Sequence, residues 1–270
     1  MNAVVLGNGF LGKQFARNGW TVWDRSKFSY EKEKIHTDWN KLSDFDTIIN
    51  CIGLSDTRLC EHSLSLAMDI NGELPKILSQ YCDNNFKKFV HISTGCLYDH
   101  ENANENDFIV AHCNYTVSKW IGEKGCRAND LIIRPRLLYS DLPNKNNLLS
   151  KLPRYKSYVY DKKDSLTSTQ TIVQAVTALL KNNQSGIFNV ADEGILTMSD
   201  IAGLLNIKLN KPIITMEHLR RTQGLYLVNS TMNINKLKEF YQPPTIIENL
   251  IYCYKNLKIN EKYFKENMVL

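Results

Sequence analysis

No apolar run in the 270 residues approaches the length of a membrane span, so neither an anchor nor a signal peptide is expected. No CxxC pair occurs among the seven cysteines, Cys51, Cys60, Cys82, Cys96, Cys113, Cys126 and Cys253. Their odd number and wide spacing fit a reduced, cytoplasmic protein without a thiolate zinc site, and no metal is expected. Charge of one sign is not concentrated: the net charge is +5, and the basic residues stand in short pairs such as Lys87-Lys88, Lys162-Lys163 and Arg220-Arg221. That scatter excludes a nucleic-acid groove and suits a phosphate-bearing small molecule. Internal repeats and low-complexity segments are also missing. What remains is a composition of 43% hydrophobic and 10% aromatic residues, enough to bury the core of one large domain or of one domain with a small lobe.

The chain opens with a strand-like run, Ala3 to Leu6, followed by Gly7-Asn8-Gly9-Phe10-Leu11-Gly12 and a helix-compatible segment ending at Asn18-Gly19. Glycines between a strand and a helix let the backbone approach a pyrophosphate, which the amides of the helix N-terminus then bind. Trp20 to Trp23 reads as the second strand and ends at Asp24, placed to accept hydrogen bonds from an adenosine ribose; Arg25 beside it suits the extra phosphate of NADP. A charged, exposed-looking stretch leads to Asp38-Trp39. The apolar run Thr47 to Ile52, with Gly53 behind it, then reads as a buried strand whose following loop passes under a bound cofactor, and Cys51, Ile52 and Gly53 count on the cofactor side. A helix is expected from about Leu64 to Asp83, with Pro75 at a segment start or kink. Phe89 to Ile92 and Leu131 to Ile133 are further strands, the latter leading into Arg134-Pro135-Arg136. This alternation predicts an α/β fold with a Rossmann-type, doubly wound parallel sheet. From Ser140 the rhythm shortens. A helix over Thr169 to Lys181, a strand over Gly186 to Val190 and a last helix from Thr245 to about Leu257 are expected, with the tail after Ile259 loosely held. Residues 1–139 are read mainly as the NAD(P)-binding domain. Residues 140–270 are read mainly as a substrate lobe, with segments around 165–190 returning to the first domain.

The central stretch runs from His91 to Lys119. Ser93 and Thr94 end a buried strand, where open parallel sheets place their sites. Tyr115 and Lys119 are spaced to share one helix face, where the ammonium is expected to lower the tyrosine pKa and fit the phenol for acid–base work.

Taken in order, GNGFLG, INCIG, HISTG and Tyr115-Thr116-Val117-Ser118-Lys119 resemble the extended short-chain dehydrogenase/reductases acting on nucleotide sugars, over nearly the whole chain. Asn50, Cys60-Glu61, Asn71, Ser93-Thr94 and Gly186 to Val190 are similar to the dTDP-4-dehydrorhamnose reductase branch. Thr94 to Asp99, with the run from Ser140 to Tyr155, resembles its bifunctional 3,5-epimerase/4-reductases. The resemblance implies NADPH or NADH as cofactor and a UDP- or dTDP-linked 4-keto-6-deoxyglucose as substrate, converted to the L-rhamnose form. Thr94 would hydrogen-bond the C4 ketone, Tyr115 would protonate its oxygen, and Lys119 would hold the nicotinamide ribose. Cys96 and Lys151 would be the epimerising acid–base pair. Asp38, Trp39 and Asn71 join the cofactor side; Arg136, Ser165, Thr167 and Asn229 are candidates on the substrate side. The glycine turn is one residue tighter than the superfamily's usual spacing. Three alternatives stand: a reductase without epimerase activity, an enzyme of the GDP-fucose synthase type, and a non-catalytic binding subunit like the regulatory subunit of methionine adenosyltransferase. A homodimer is an allowed assembly.

Overall fold

β1 (Ala3–Leu6), buried along its length, is the strand from which the sheet grows in both directions. The computed structural model describes residues 2–31, 34–154, 159–209, 213–214 and 230–267. β1 pairs in parallel with β2 (Thr21–Trp23) on one side and with β5 (Thr47–Asn50) on the other. Between them β3 (Phe28–Glu31) and β4 (Lys34–Thr37) form a separate antiparallel hairpin. Beyond β5 the sheet continues with β6 (Lys88–Ile92), β7 (Leu131–Pro135) and β11 (Gly186–Val190), giving six parallel strands in the order β11-β7-β6-β5-β1-β2. The chain reverses its direction of travel across the sheet between β1 and β5. At such a switch the loops leave in opposite directions and open a crevice at the carboxyl ends of the strands.

Side-chain alternation along the strands divides the core. Val5, Ile49 and Val90 join one cluster with Phe15 of α1 (Phe10–Arg17) and Ile172 and Val176 of α8 (Thr169–Lys181). Val4, Leu6, Ile48 and Phe89 point to the other face, against Leu74 and Leu78 of α5 (Leu74–Asn84). Period-two patterning of buried apolar residues thus produces helices on both faces. A third cluster, around Tyr139, Leu148, Ile201, Ile246 and Leu250, is the core of the C-terminal part.

Three local features depart from expectation. The exposed-looking stretch after Asp24 holds the β3–β4 hairpin, whose half-buried, mixed residues carry no clean alternation. The expected helix from Leu64 to Asp83 is divided into α4 (Leu64–Ala67), a π-helical stretch (Met68–Glu73) and α5, with Pro75 in the first turn of α5, where its missing N–H costs nothing. The last helix runs from Ile246 to Asn267 rather than ending near Leu257; no proline or glycine interrupts it, so the charged tail carries the helix on.

Candidate active site

The glycine turn is dictated by close approach. Gly7 has φ +103°, and a Cβ on Gly12 would lie 1.8 Å from the Gly7 carbonyl oxygen, so any side chain there would force α1 off β1. Above the turn a Cβ on Gly9 would meet nothing within 4 Å, leaving open space beside the first turn of α1. After β5 the Cys51–Gly53 loop is fixed from two sides. Asn50 Oδ1 accepts from Ile52 N at 3.0 Å, while Asn71 accepts from Leu54 N at 2.8 Å and donates to Leu54 O at 3.0 Å. Asn71 also donates to Ser118 Oγ at 3.1 Å, tying the loop to α6 (Asn114–Lys124). The π-helical stretch and α6 touch backbone to backbone there, since a Cβ on Gly122 would fall 2.1 Å from Asn71 O.

α6 carries Tyr115 and Lys119. Its first amide, Asn114 N, donates to Glu61 Oε1 at 2.7 Å, a carboxylate cap delivered by α3 (Thr57–His62). Thr94, just past the end of β6, accepts from Cys96 N at 3.1 Å, and its hydroxyl acts on the Tyr115 phenol. Burial, and then the charge at Cys96, push the Tyr115 phenol well above its ordinary value, the neighbouring Thr94 hydroxyl opposing them. The expected influence of Lys119 is not what sets this phenol. Lys119 turns inward, 4% exposed, and donates to Ile92 O at 2.7 Å with His91 Nε2 at 3.5 Å. Burial lowers it to about 8. His91 is also held well below its ordinary value, by burial first and then by the Lys119 charge, and it meets Asn50 Nδ2 through Nδ1 at 3.3 Å. His91 was not singled out from sequence; its position inside a buried strand, two residues before the site, is the signal that could have found it.

The cation beside Cys96 is Arg136, whose Nη1 lies 2.8 Å from Sγ. Arg136 also bonds Asp164 through Nε at 2.7 Å and Nη2 at 3.0 Å. A buried guanidinium after a buried strand demands a carboxylate, but sequence does not say which.

The remaining candidates divide. Lys151 ends α7 (Leu148–Lys151) on the surface; partial burial lowers its pKa and Asp56, at the start of α3, is the neighbouring charge that opposes this. Asp24 lies exposed at the end of β2 and takes both Ser26 N at 3.0 Å and Ser26 Oγ at 2.6 Å, which lower it. Asp38 caps α2 (Trp39–Ser43), accepting from Asn40 N and Lys41 N, and Trp39 lies 4.8 Å from the Tyr81 ring. Ser165 accepts from Met232 N at 2.9 Å; Thr167 accepts from Arg136 N at 2.9 Å and donates to Val190 O at 2.8 Å. Both hydroxyls are buried in scaffold bonds, because they lie where the C-terminal part rejoins the sheet. Asn229 lies outside the described residues. Among the described residues no three metal-ligating side chains cluster, and no helix is long and apolar enough to cross a membrane.

Comparison with known proteins gives the same outline. The chain is 28% identical over 173 residues to the probable low-salt glycan biosynthesis reductase Agl14 of Haloferax volcanii, a match covering 58% of this chain and only 57% of that protein. It is 22% identical over 229 residues to L780 of Acanthamoeba polyphaga mimivirus, covering 77% and 78%. The L780 crystal structure, described as a UDP-rhamnose synthase, superposes with a TM-score of 0.78 at 17% identity, over 94% of this chain and 98% of that one. The dTDP-4-dehydrorhamnose reductase of Bacillus anthracis, solved with NADP, gives 0.77 at 19% identity over the same shares, 94% and 98%. Residues 3–238 match the RmlD substrate binding domain, and the chain belongs to that family.

Proposed function

We propose that the chain is an NAD(P)H-dependent reductase of a UDP- or dTDP-linked 4-keto-6-deoxyhexose that also inverts C3 and C5, giving the L-rhamnose form. The observation that carries the reading is the placing of the Thr94 hydroxyl beside the Tyr115 phenol past the end of β6, with Cys96 two residues on from Thr94. The relatives, described as a glycan biosynthesis reductase, a UDP-rhamnose synthase and a dTDP-4-dehydrorhamnose reductase, support it.

The crevice fits a dinucleotide. The Gly7–Gly12 turn leaves room for a pyrophosphate against the α1 amides, Asp24 and Arg25 stand at the ribose end, and Lys119 and Asn71 back the Cys51–Gly53 loop. When bound there, a nicotinamide would supply a hydride for the C4 carbon. Thr94 orients the C4 ketone. Tyr115, kept protonated by its burial, gives its hydroxyl proton to the C4 oxygen as that oxygen gains negative charge. Lys119, lowered to about 8, is charged through the neutral range and holds the ribose hydroxyls. For inversion, Cys96 as thiolate takes the proton from C3 or C5, leaving an enolate on the C4 ketone, and Lys151 returns one from the opposite face. In this reading residues 1–139 serve the cofactor, and 140–270 the sugar.

A reductase without epimerase activity is the second reading. It is favoured by the surface position of Lys151 and by the Arg136 bond that already engages Cys96. Incubation of UDP- and dTDP-4-keto-6-deoxyglucose with enzyme and cofactor in deuterated water decides between them. Deuterium at C3 and C5 is expected; reduction of the pre-epimerised ketosugar without any exchange establishes the simple reductase. No turnover of either sugar overturns both.

A further inference from the structure

Behind Cys96 lies a charge cluster that the reduction does not use. Asp164 is held by Arg136 on one side, and on the other Lys162 Nζ stands 3.4 Å from Asp164 Oδ2. The Lys162 side chain is 11% exposed, yet its ammonium makes no hydrogen bond among the described residues. A buried ammonium without aligned acceptors is costly unless it serves a charge state elsewhere.

The charge count says which. Arg136 is permanently cationic and Asp164 balances it, so among the described residues Lys162 leaves one buried positive charge in excess while Cys96 is a thiol. Ionisation of Cys96 removes that excess. Arg136 Nη1, at 2.8 Å from Sγ, connects the two ends. We propose that Lys162 is a positioning residue for Cys96: through the Asp164–Arg136 pair, its charge holds Cys96 as the thiolate that meets the sugar. Burial and the Arg136 charge lower Lys162 to about 8, while Asp164 and Cys96 oppose the shift. Lys162 therefore gains and loses its charge within the working range. Among the described residues Tyr115 also faces Cys96, and its burial keeps it neutral there.

The role of Cys96 as a base rests on the epimerase reading, so the test is made without sugar. The full-length protein is alkylated with iodoacetamide from pH 5.5 to 9.5, and labelling of the Cys96 peptide is followed by mass spectrometry, with the Cys113 peptide as reference. In Lys162→Met the pH midpoint for Cys96 is expected to rise by about one unit, slowing its labelling at pH 7 roughly two- to fivefold, while Cys113 is unchanged. Lys162→Arg, which keeps the charge, is expected to retain the wild-type midpoint. An unmoved midpoint in Lys162→Met overturns the proposal, as does an equal rise in the Met and Arg variants, which would assign Lys162 to packing alone. If the midpoint moves as expected but no variant exchanges deuterium into the ketosugar, the epimerase reading fails and the charge coupling stands.

Discussion

Two buried cations flank the Thr94–Tyr115 pair, and their surroundings are opposite. Lys119, on the cofactor side, meets neutral groups, the Ile92 carbonyl and the His91 ring, and the nearest carboxylate acting on it is Glu123, already committed to Arg134. Arg136, on the lobe side, is gripped by Asp164 through two bonds. The first setting makes the cation easy to lose, and Lys119 falls to about 8. The second makes it permanent, with the Arg136 guanidinium held above its already high ordinary value by Cys96 and Asp164 against its burial. Burial alone therefore does not determine charge; the partner does.

The contrast can be broken most severely at Asp164. Asp164→Asn leaves Arg136 and Lys162 as two buried cations without a carboxylate, and a loss of about 3–5 kcal/mol in denaturant unfolding is expected. A loss under about 1 kcal/mol would mean that the pair is solvated in the folded protein.

Lys119→Met tests the other side, with the opposite sign. The folded-state pKa lies near 8, below the ordinary 10.5, so between those values the unfolded chain binds the extra proton and stability rises with pH. Below about pH 8 the folded protein carries the whole cost of the buried charge. Removing it should leave the unfolding free energy at pH 7 at or above wild type, by at most about 3 kcal/mol, while reductase turnover falls by about 10²-fold or more. The stability advantage should shrink toward pH 10. A variant less stable than wild type at pH 7 would show that the bond to Ile92 outweighs desolvation.

The smallest effect is expected at Glu61→Ala, which removes the carboxylate from the first amide of α6. About 1 kcal/mol of stability should be lost, read from thermal unfolding, with kcat changed more than the cofactor Kd, because α6 sets the Tyr115 position.

The order of strands and helices was legible because each buried strand is a short apolar run and each turn has its glycine or polar break. α8 and β11 fall on the boundaries read from sequence, Thr169–Lys181 and Gly186–Val190. The β3–β4 hairpin was not, since half-buried strands outside the main sheet lack alternation. Of the candidate site, Thr94, Tyr115 and Lys119 could be brought to one strand end and one helix face by local spacing alone. Arg136, Asp164 and Lys162 could not be assigned in the same way: the Arg136–Asp164 bonds join residues 28 apart, and their roles emerge only when β7 and the segment after Tyr160 meet.

By itself, the sequence determined the parallel sheet, the glycine turn and the helix that carries Tyr115 and Lys119, because these follow from periodicities of two and 3.6 and from the steric needs of Gly7 and Gly12. Only the tertiary structure decided which cation faces which group. It set Lys119 against the Ile92 carbonyl and the His91 ring and put Arg136 against Cys96, since electrostatic partners are fixed by distance in space and not by separation along the chain.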